Sequence, residues 1–524
     1  MRSKLLLPVL VILCSCVSGR EVPRVIPCPS SVKQAYGVFD AKGARVVCGD
    51  DVMPEIKNLA GTFSERFSDG GKRPSGNKIM LLPDDSLGPE TYVLNVRRRE
   101  VTVRAADYNG FLYGLVTLEQ LLPQSGGWDI PCVEIADAPR FSWRGHLLDC
   151  SRHFFSVEEI KKLLDVMCMY KLNRFHWHIT DDHGWRIEIK KYPLLTSVGA
   201  YRDGTMREHD MSSNDGIRYG GYYSQEQVKE VVAYASARGI QVVPEIDLPA
   251  HMVSALTAYP FLGCTGGPYE LMTVWDISKD VLCPGKETSF LFLEDIFSEI
   301  CDLFPYEYIH IGGDECPKDR WKDCPDCQRL IHELGLKDTS SATAEQYLQN
   351  YVTSRVQDIL SRHGRRVIGW DEILEGDLKP GATIMSWRGI EGGMMAAEKG
   401  FDVIMSPLDY CYLDYCQSET PETEPLGIGH CLTVEKCYSY EPLEGLGSAA
   451  AKHILGVQSN LWTEFIATPA HLEYMLLPRM LALSEVGWSL PSNKDYPSFR
   501  DAVIHTHIPR LRSLGYSCCR NIED

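Results

Sequence analysis

The sequence predicts a (β/α)8 barrel preceded by a small α+β domain. Strand-like runs recur at 145–150, 173–179, 240–247, 306–312, 366–370, 382–387, 402–407 and 454–460. Helix signals fill several of the gaps: a capping box at Ser156-x-x-Glu159 opening a helix to about Lys171, and Ser224 with Gln227 three later, stopping at Gly239. Further helices are expected over about 288–303, 344–362 and 471–486. Eight strands alternating with helices describe a parallel barrel. The competing open sheet would need a glycine-rich phosphate loop after its first strand, and none is present.

Residues 22–138 read as the preceding domain. Thr91-Tyr-Val-Leu-Asn-Val and Glu100-Val-Thr-Val-Arg-Ala alternate with period two about Arg97-Arg-Arg, the pattern of a hairpin. Gly110 to Leu122 then carries apolar residues at helical spacing, and Asp137-Ala-Pro-Arg makes a linker to a barrel over 141–490. Residues 491–524 are expected to form a C-terminal extension packed on the barrel.

The 524 residues carry a formal charge of −18, which disfavours a nucleic-acid partner and suits a neutral one such as sugar. Met1-Arg-Ser-Lys followed by the apolar run Leu5 to Cys16 reads as a secretory signal within 1–19, too short to span a membrane. Leu13-Cys14-Ser15-Cys16 resembles a bacterial lipoprotein box, which would put a lipid membrane anchor on Cys16; ordinary cleavage near Ser18-Gly19 is the alternative. An exported enzyme, periplasmic or at the cell surface, is expected. The absence of any Asn-x-Ser/Thr acceptor favours a bacterial source.

The 19 cysteines do not form a small disulfide framework. Cys264 and Cys283 flank a loop-like stretch and are the disulfide candidates. Cys316…Cys324-x-x-Cys327 has the look of metal ligands, but no second pair follows it, so a structural reading is preferred. No metal and no cofactor are expected.

Chemistry in such barrels sits at the C-terminal strand ends. Here these read Asp149-Cys-Ser-Arg152, His176-Trp-His-Ile-Thr-Asp181-Asp182, Glu245-Ile-Asp247-Leu-Pro-Ala-His251, Gly312-Gly-Asp314-Glu315, Gly369-Trp370-Asp371-Glu372, Met385-Ser-Trp387-Arg388, Tyr412-Leu-Asp414 and Asn460-Leu-Trp462-Thr-Glu464. Any one tryptophan would be read as core. Tryptophans beside carboxylates at successive strand ends instead suit a sugar, whose apolar ring faces pack on aromatics while its hydroxyls meet charged groups.

Together with His176-Trp-His-Ile-Thr-Asp-Asp-His-Gly-Trp-Arg and Pro244-Glu-Ile-Asp-Leu-Pro-Ala-His, these motifs resemble glycoside hydrolase family 20, the β-N-acetylhexosaminidases, over about 22–490. The resemblance implies an exo-acting enzyme that removes terminal β-linked N-acetylhexosamines from glycans with retention. Glu315 would be the general acid, its pKa raised above a free carboxylate's. Asp314 would accept the N–H of the 2-acetamido group, and Tyr412 would donate to its carbonyl oxygen. Trp370, Trp387 and Trp462 would wall the pocket. Arg152, Glu464 and Asp414 would bind outer hydroxyls, and His251 with Asp181 would orient Glu315. The carbonyl oxygen would attack the anomeric carbon, giving an oxazolinium intermediate without a protein nucleophile. Asp182, Asp371, His176 and His178 are read as structural, and the aromatic near 437–441 is left open between Tyr438 and Tyr440. Neighbouring residues of a strand face opposite sides, so Asp314 and Glu315 can serve one pocket only if the strand ends at Gly312-Gly313.

Two readings compete from outside this family, and a lacto-N-biosidase releasing a disaccharide or a chitin-directed enzyme is a third within it. A metal-dependent hydrolase could use His176-x-His178, but later strand ends offer Trp and Asp in place of further ligands. A silent glycan-binding protein would be expected to lack the acid, and Glu315 is present.

Overall fold

The computed structural model describes residues 22–49, 52–68, 76–124 and 126–523. The expected secretory signal and Cys16 lie outside the described residues. Among those described, no helix is long and apolar enough to cross a membrane.

A six-stranded sheet comes first: β1 (Ser31–Asp40), β2 (Arg45–Cys48), β3 (Lys78–Pro83), β4 (Tyr92–Val96), β5 (Glu100–Ala105) and β6 (Asp129–Asp137), in the order β1-β6-β4-β5-β3-β2. The expected hairpin is β4–β5, with Leu94 opposite Val103. Their alternation buries Tyr92, Leu94, Val96, Val101 and Val103. The helix Tyr108–Gln120 packs there, its N-terminus capped by Asp107, which accepts from the Gly110 N–H.

Eight parallel strands then close into a barrel: β7 (Trp143–Asp149), β8 (Arg174–His178), β9 (Gln241–Glu245), β10 (Tyr308–His310), β11 (Arg366–Trp370), β12 (Thr383–Ser386), β13 (Asp402–Met405) and β14 (Ile454–Leu461), with β14 pairing back to β7. The capping boxes at Ser156 and Ser224 form, and Thr343 with Gln346 adds a third. On β8 the alternation separates two environments. Phe175 and Trp177 join the apolar layer under the helices, while His176 and His178 meet polar partners within the barrel.

One expected helix, 471–486, is two: Pro469–Leu476 and Arg479–Trp488. Pro478 sits at the break, where it offers no backbone N–H to continue the ladder. Past residue 491, the helices Tyr496–Ala502 and Ile508–Ser513 bury Phe499, Ile508 and Leu511. Arg510 donates to the Gln120 carbonyl and Tyr516 to that of Lys162, so this segment touches both sheet-domain helix and barrel.

Sheet and barrel are joined through buried charge. Asp137 at the end of β6 accepts from Tyr92 Oη (2.6 Å), Lys171 Nζ (3.0 Å) and Trp488 Nε1 (2.9 Å). Lys171 and Asp137 are both fully buried, so removing either leaves the other charge without its partner. Asp137→Ala is therefore expected to destabilise the fold by about 3–5 kcal/mol. Urea unfolding followed by tryptophan fluorescence measures this, and a loss below about 1 kcal/mol would contradict the assigned role of the pair.

Candidate active site

Register places one carboxylate at the centre of the barrel. Glu245, the last residue of β9, lies level with His178 on β8 and His310 on β10. It meets His178 Nδ1 at 2.5 Å, His176 Nε2 at 3.1 Å and His310 Nδ1 at 2.9 Å, and accepts from Trp370 Nε1 at 2.9 Å. All five side chains are buried. Burial works against the charge on Glu245, yet the three imidazoles hold it well below the usual carboxylate range.

The chain of contacts continues toward the barrel mouth. His178 Nε2 lies 3.1 Å from Asp181 Oδ2, and the same oxygen pairs with Arg152 Nη2 at 2.8 Å. His251 stands between two sets of carboxylates. Its Nδ1 is 3.4 Å from Asp182 Oδ2 and 3.8 Å from Asp181 Oδ2; its Nε2 is 3.6 Å from Glu315 Oε2 and 3.8 Å from Asp314 Oδ2. Burial disfavours a charged imidazole, but Asp181 and Asp247 outweigh it and raise the His251 pKa well above its ordinary value.

Asp314 and Glu315 share this histidine because the backbone turns beneath them. β10 stops at His310, and Gly312 and Gly313 adopt φ of +66° and +100°. A Cβ on Gly312 would fall 1.6 Å from Asp247 Oδ1. Glu315 and His251 are themselves in the left-handed region, at φ +46° and +54°. Such conformations are costly for residues with a Cβ and collect at functional sites.

The two neighbours hold protons differently. Burial pushes the Asp314 carboxyl up to about 7; the His251 charge opposes this, and Glu315 and Glu245 add to it. Glu315, whose side chain is 36% exposed, is held below the ordinary glutamate value by its interaction with His251. The sequence expectation that Glu315 carries a raised pKa is thus corrected for the ligand-free site: hydrogen bonding to His251 and its charge outweigh the partial burial that would raise it. Glu372, which accepts from Trp387 Nε1 at 3.0 Å, is pushed up to about 8 by burial, then by Asp314 and Asp371.

Aromatic and polar groups surround the pair. Trp387 stacks on Tyr412 with ring centroids 6.1 Å apart, and Trp462 lies 5.9 Å from Trp370. Trp387 and Trp462 are half-buried, whereas Trp370 is 1% exposed and tied to Glu245, so it forms a floor and not an open wall. Arg152 lies over the Trp462 ring at 5.2 Å. Both Asp414 carboxylate oxygens and Asp314 Oδ1 are buried without a hydrogen-bond partner among the described residues. Orphaned acceptors of this kind call for a ligand donor or water.

Comparison with known proteins agrees with this arrangement. Residues 141–491 match the glycosyl hydrolase family 20 catalytic domain, and residues 22–138 match domain 2 of that family. The chain belongs to glycosyl hydrolase family 20. A β-hexosaminidase of Porphyromonas gingivalis is 42% identical over 494 residues, 91% of this chain and 62% of that protein. One from Akkermansia muciniphila is 34% identical, covering 82% and 86%. The crystal structure of a Vibrio harveyi exo-β-N-acetylglucosaminidase in complex with N-acetylglucosamine superposes with a TM-score of 0.83 at 32% identity, covering 95% of this chain and 78% of that one.

Against this family 20 background, the sequence-derived residues converge on one barrel mouth with some changes of emphasis. Arg152 is paired directly with Asp181 and with Asp149 (3.5 Å); Glu464 is a charge neighbour that helps hold its pKa high. Asp182, read as structural, is closer to His251 than Asp181 is. Both ring nitrogens of His178 are taken by Glu245 and Asp181, while His176 meets Gln458 through Nδ1 and lies 3.1 Å from Glu245 through Nε2. Tyr438 packs on Phe499 and Tyr440 stacks on Tyr410, so both open candidates are core residues. Glu245 and Glu372 were missed as site members. The signal for Glu245 was a carboxylate at a strand end, but only barrel register reveals its histidines.

Gly312→Ala tests the turn. The added Cβ collides with Asp247 and the backbone resists φ +66°, so Asp314 and Glu315 shift together. A displacement near 1 Å is expected to lower kcat by about a hundredfold or more. Steady-state kinetics on a folded variant, verified by circular dichroism, gives the answer; wild-type kcat would contradict the requirement.

Proposed function

We propose that this family 20 glycoside hydrolase removes terminal non-reducing β-linked N-acetylhexosamines from glycans by the retaining, substrate-assisted route. The observation that carries the reading is the Gly312–Gly313 turn, which aims Asp314 and Glu315 at one region beside His251 Nε2. The N-acetylglucosamine bound to the Vibrio harveyi neighbour supports an N-acetylhexosamine as ligand. The reading of the chain as exported, periplasmic or at the cell surface, with Cys16 as a lipid anchor, rests on its N-terminal sequence and belongs to this proposal.

The roles proposed for the individual residues are those the family resemblance implies, and the geometry of the site supports them. Asp314 accepts the acetamido N–H, and Tyr412, buried beside Trp387, donates to the carbonyl oxygen. Trp387 and Trp462 flank the acetyl group above Trp370. Held so, the carbonyl oxygen attacks the anomeric carbon as Glu315 gives its proton to the leaving oxygen, producing an oxazolinium ion. Water, deprotonated by Glu315, then opens that ion with overall retention. Arg152, Asp414 and Glu464 receive the outer hydroxyls; the orphaned oxygens of Asp414 suit that task. His251, with Asp181 and Asp182 behind it, positions Glu315.

The protons of the pair explain how an exposed, ionised Glu315 becomes an acid. In the free site burial favours a proton on Asp314, while His251 favours the carboxylate of Glu315. A bound acetamido N–H favours ionised Asp314, while an aglycone over Glu315 removes its water and favours the neutral acid. Substrate thus redistributes one proton within the pair without changing their total. The pair titrates as a unit. The kcat/KM profile is expected to fall as pH rises through about 7, when that proton is lost, and to fall again only below the ordinary carboxylate range. Asp314→Asn is expected to move the upper limb to lower pH, because the remaining acid, Glu315, is held below the ordinary glutamate value by His251; a wild-type profile flat to pH 9 (roughly two units above the pair) would contradict the assignment.

Chromogenic β-GlcNAc, β-GalNAc and β-glucoside substrates test the activity. Hydrolysis of the two N-acetylated substrates is expected, with inhibition by a thiazoline and at least about a thousandfold loss in Glu315→Gln. Comparable turnover of the β-glucoside, which lacks the amide, would overturn the mechanism. Full activity in Glu315→Gln would favour a site whose acid lies elsewhere.

A further inference from the structure

Four cysteines that the sequence scatters over more than sixty positions meet in one place. The sulfurs of Cys264, Cys283, Cys324 and Cys327 all lie within 4.8 Å of one another. Cys264 Sγ is 3.8 Å from Cys327 Sγ, and Cys283 Sγ is 3.7 Å from Cys324 Sγ and 3.6 Å from Cys327 Sγ. Zinc bound by four thiolates has Zn–S bonds of about 2.3 Å, and a regular tetrahedron on that radius has edges of about 3.8 Å. We propose that Cys264, Cys283, Cys324 and Cys327 form a structural tetrathiolate zinc site, separate from the catalytic pocket.

Four sulfurs at this mutual spacing suit one shared metal ion better than two bridged pairs. Cys283 is equally close to two partners, so no single cysteine is singled out for it. The second pair sought downstream of Cys324-x-x-Cys327 lies upstream, and it consists of the two residues read from sequence as a loop disulfide. All seventeen described cysteines are unbridged.

The surroundings are built for the cluster. Three of the four cysteines are buried, with Ala250, Val281, Trp321 and Leu348 packed around them. A Cβ on Gly285 would fall 2.4 Å from the Cys327 nitrogen, so the two cysteine-bearing loops meet backbone against backbone. Cys327 occupies the first turn of the helix Pro325–Leu334, where the helix dipole favours a thiolate. Lys286 donates to the Gly263 carbonyl at 2.7 Å, which places its charge beside Cys283 and the negative charge of a zinc tetrathiolate.

The consequence concerns the active-site loops. Cys264 and Cys283 belong to the segment that leaves β9 and carries His251; Cys324 and Cys327 belong to the one that leaves β10 and carries Asp314 and Glu315. Zinc here would clamp the loop of the positioning histidine to the loop of the carboxylate pair.

The full chain, purified without chelator from zinc-supplemented cells and desalted, is analysed by elemental mass spectrometry, with non-reducing peptide mapping of its cysteines. About one zinc per chain is expected, released by a mercurial reagent that blocks thiolates. Cys324→Ser/Cys327→Ser is expected to lose that zinc, while Cys431→Ser, an exposed cysteine outside the cluster, keeps it. Limited proteolysis between residues 263 and 330 is expected to speed up at least about tenfold when zinc is stripped from wild type. Zinc-free wild-type protein, or recovery of the four cysteines as two disulfides, overturns the proposal even if the double variant fails to fold. None of these readouts depends on glycosidase activity.

Discussion

Glu245 is the constraint on which the catalytic end of this barrel depends. A buried carboxylate is tolerable only when its charge is met at every side, and here three imidazoles and an indole N–H meet it. Because these partners come from β8, β10 and β11, satisfying Glu245 fixes the relative register of the strands that precede the reactive loops. His178 then passes the constraint to Asp181, Asp181 to Arg152 and His251, and His251 to the carboxylate pair. Position at the mouth is inherited from charge compensation in the interior.

The Gly312–Gly313 turn converts that fixed frame into chemistry. Two adjacent residues of a strand cannot face one ligand. Ending β10 at His310 and passing through two left-handed glycines lets them do so, and Glu315 accepts a left-handed conformation in consequence. The result is a pair of carboxyls with unlike surroundings, one buried and one at the solvent edge. Unlike surroundings are what separate proton affinities in paired acids. The directions run opposite to those of a simple resting general acid: burial raises Asp314, and His251 lowers Glu315.

Much of this was legible in the sequence because the signals were local. Capping boxes at Ser156 and Ser224 sit within four residues, and the barrel strands follow from runs bounded by loops; the two glycines announced the turn. What stayed hidden depends on distant register. Nothing near Glu245 in sequence reveals His310, and Cys264 gives no hint of Cys327. The proton affinity of Glu315 was misjudged because it depends on the approach of His251 from another strand end, which the local motif does not encode. Tyr438 and Tyr440 looked like candidates for a pocket, yet the helix Val434–Ser439 turns the first toward Phe499 and chain direction sends the second to Tyr410.

The central claim is that the sugar's own amide oxygen forms the first bond to the anomeric carbon, with the protein aiming it. A series of aryl glycosides bearing acetyl, fluoroacetyl, difluoroacetyl and trifluoroacetyl groups on the 2-nitrogen measures this, since each fluorine withdraws electrons from that oxygen with little change in size. The account expects kcat/KM to fall steeply and monotonically along the series, by several powers of ten in all. Rates that are flat across the series would show that another nucleophile does the work.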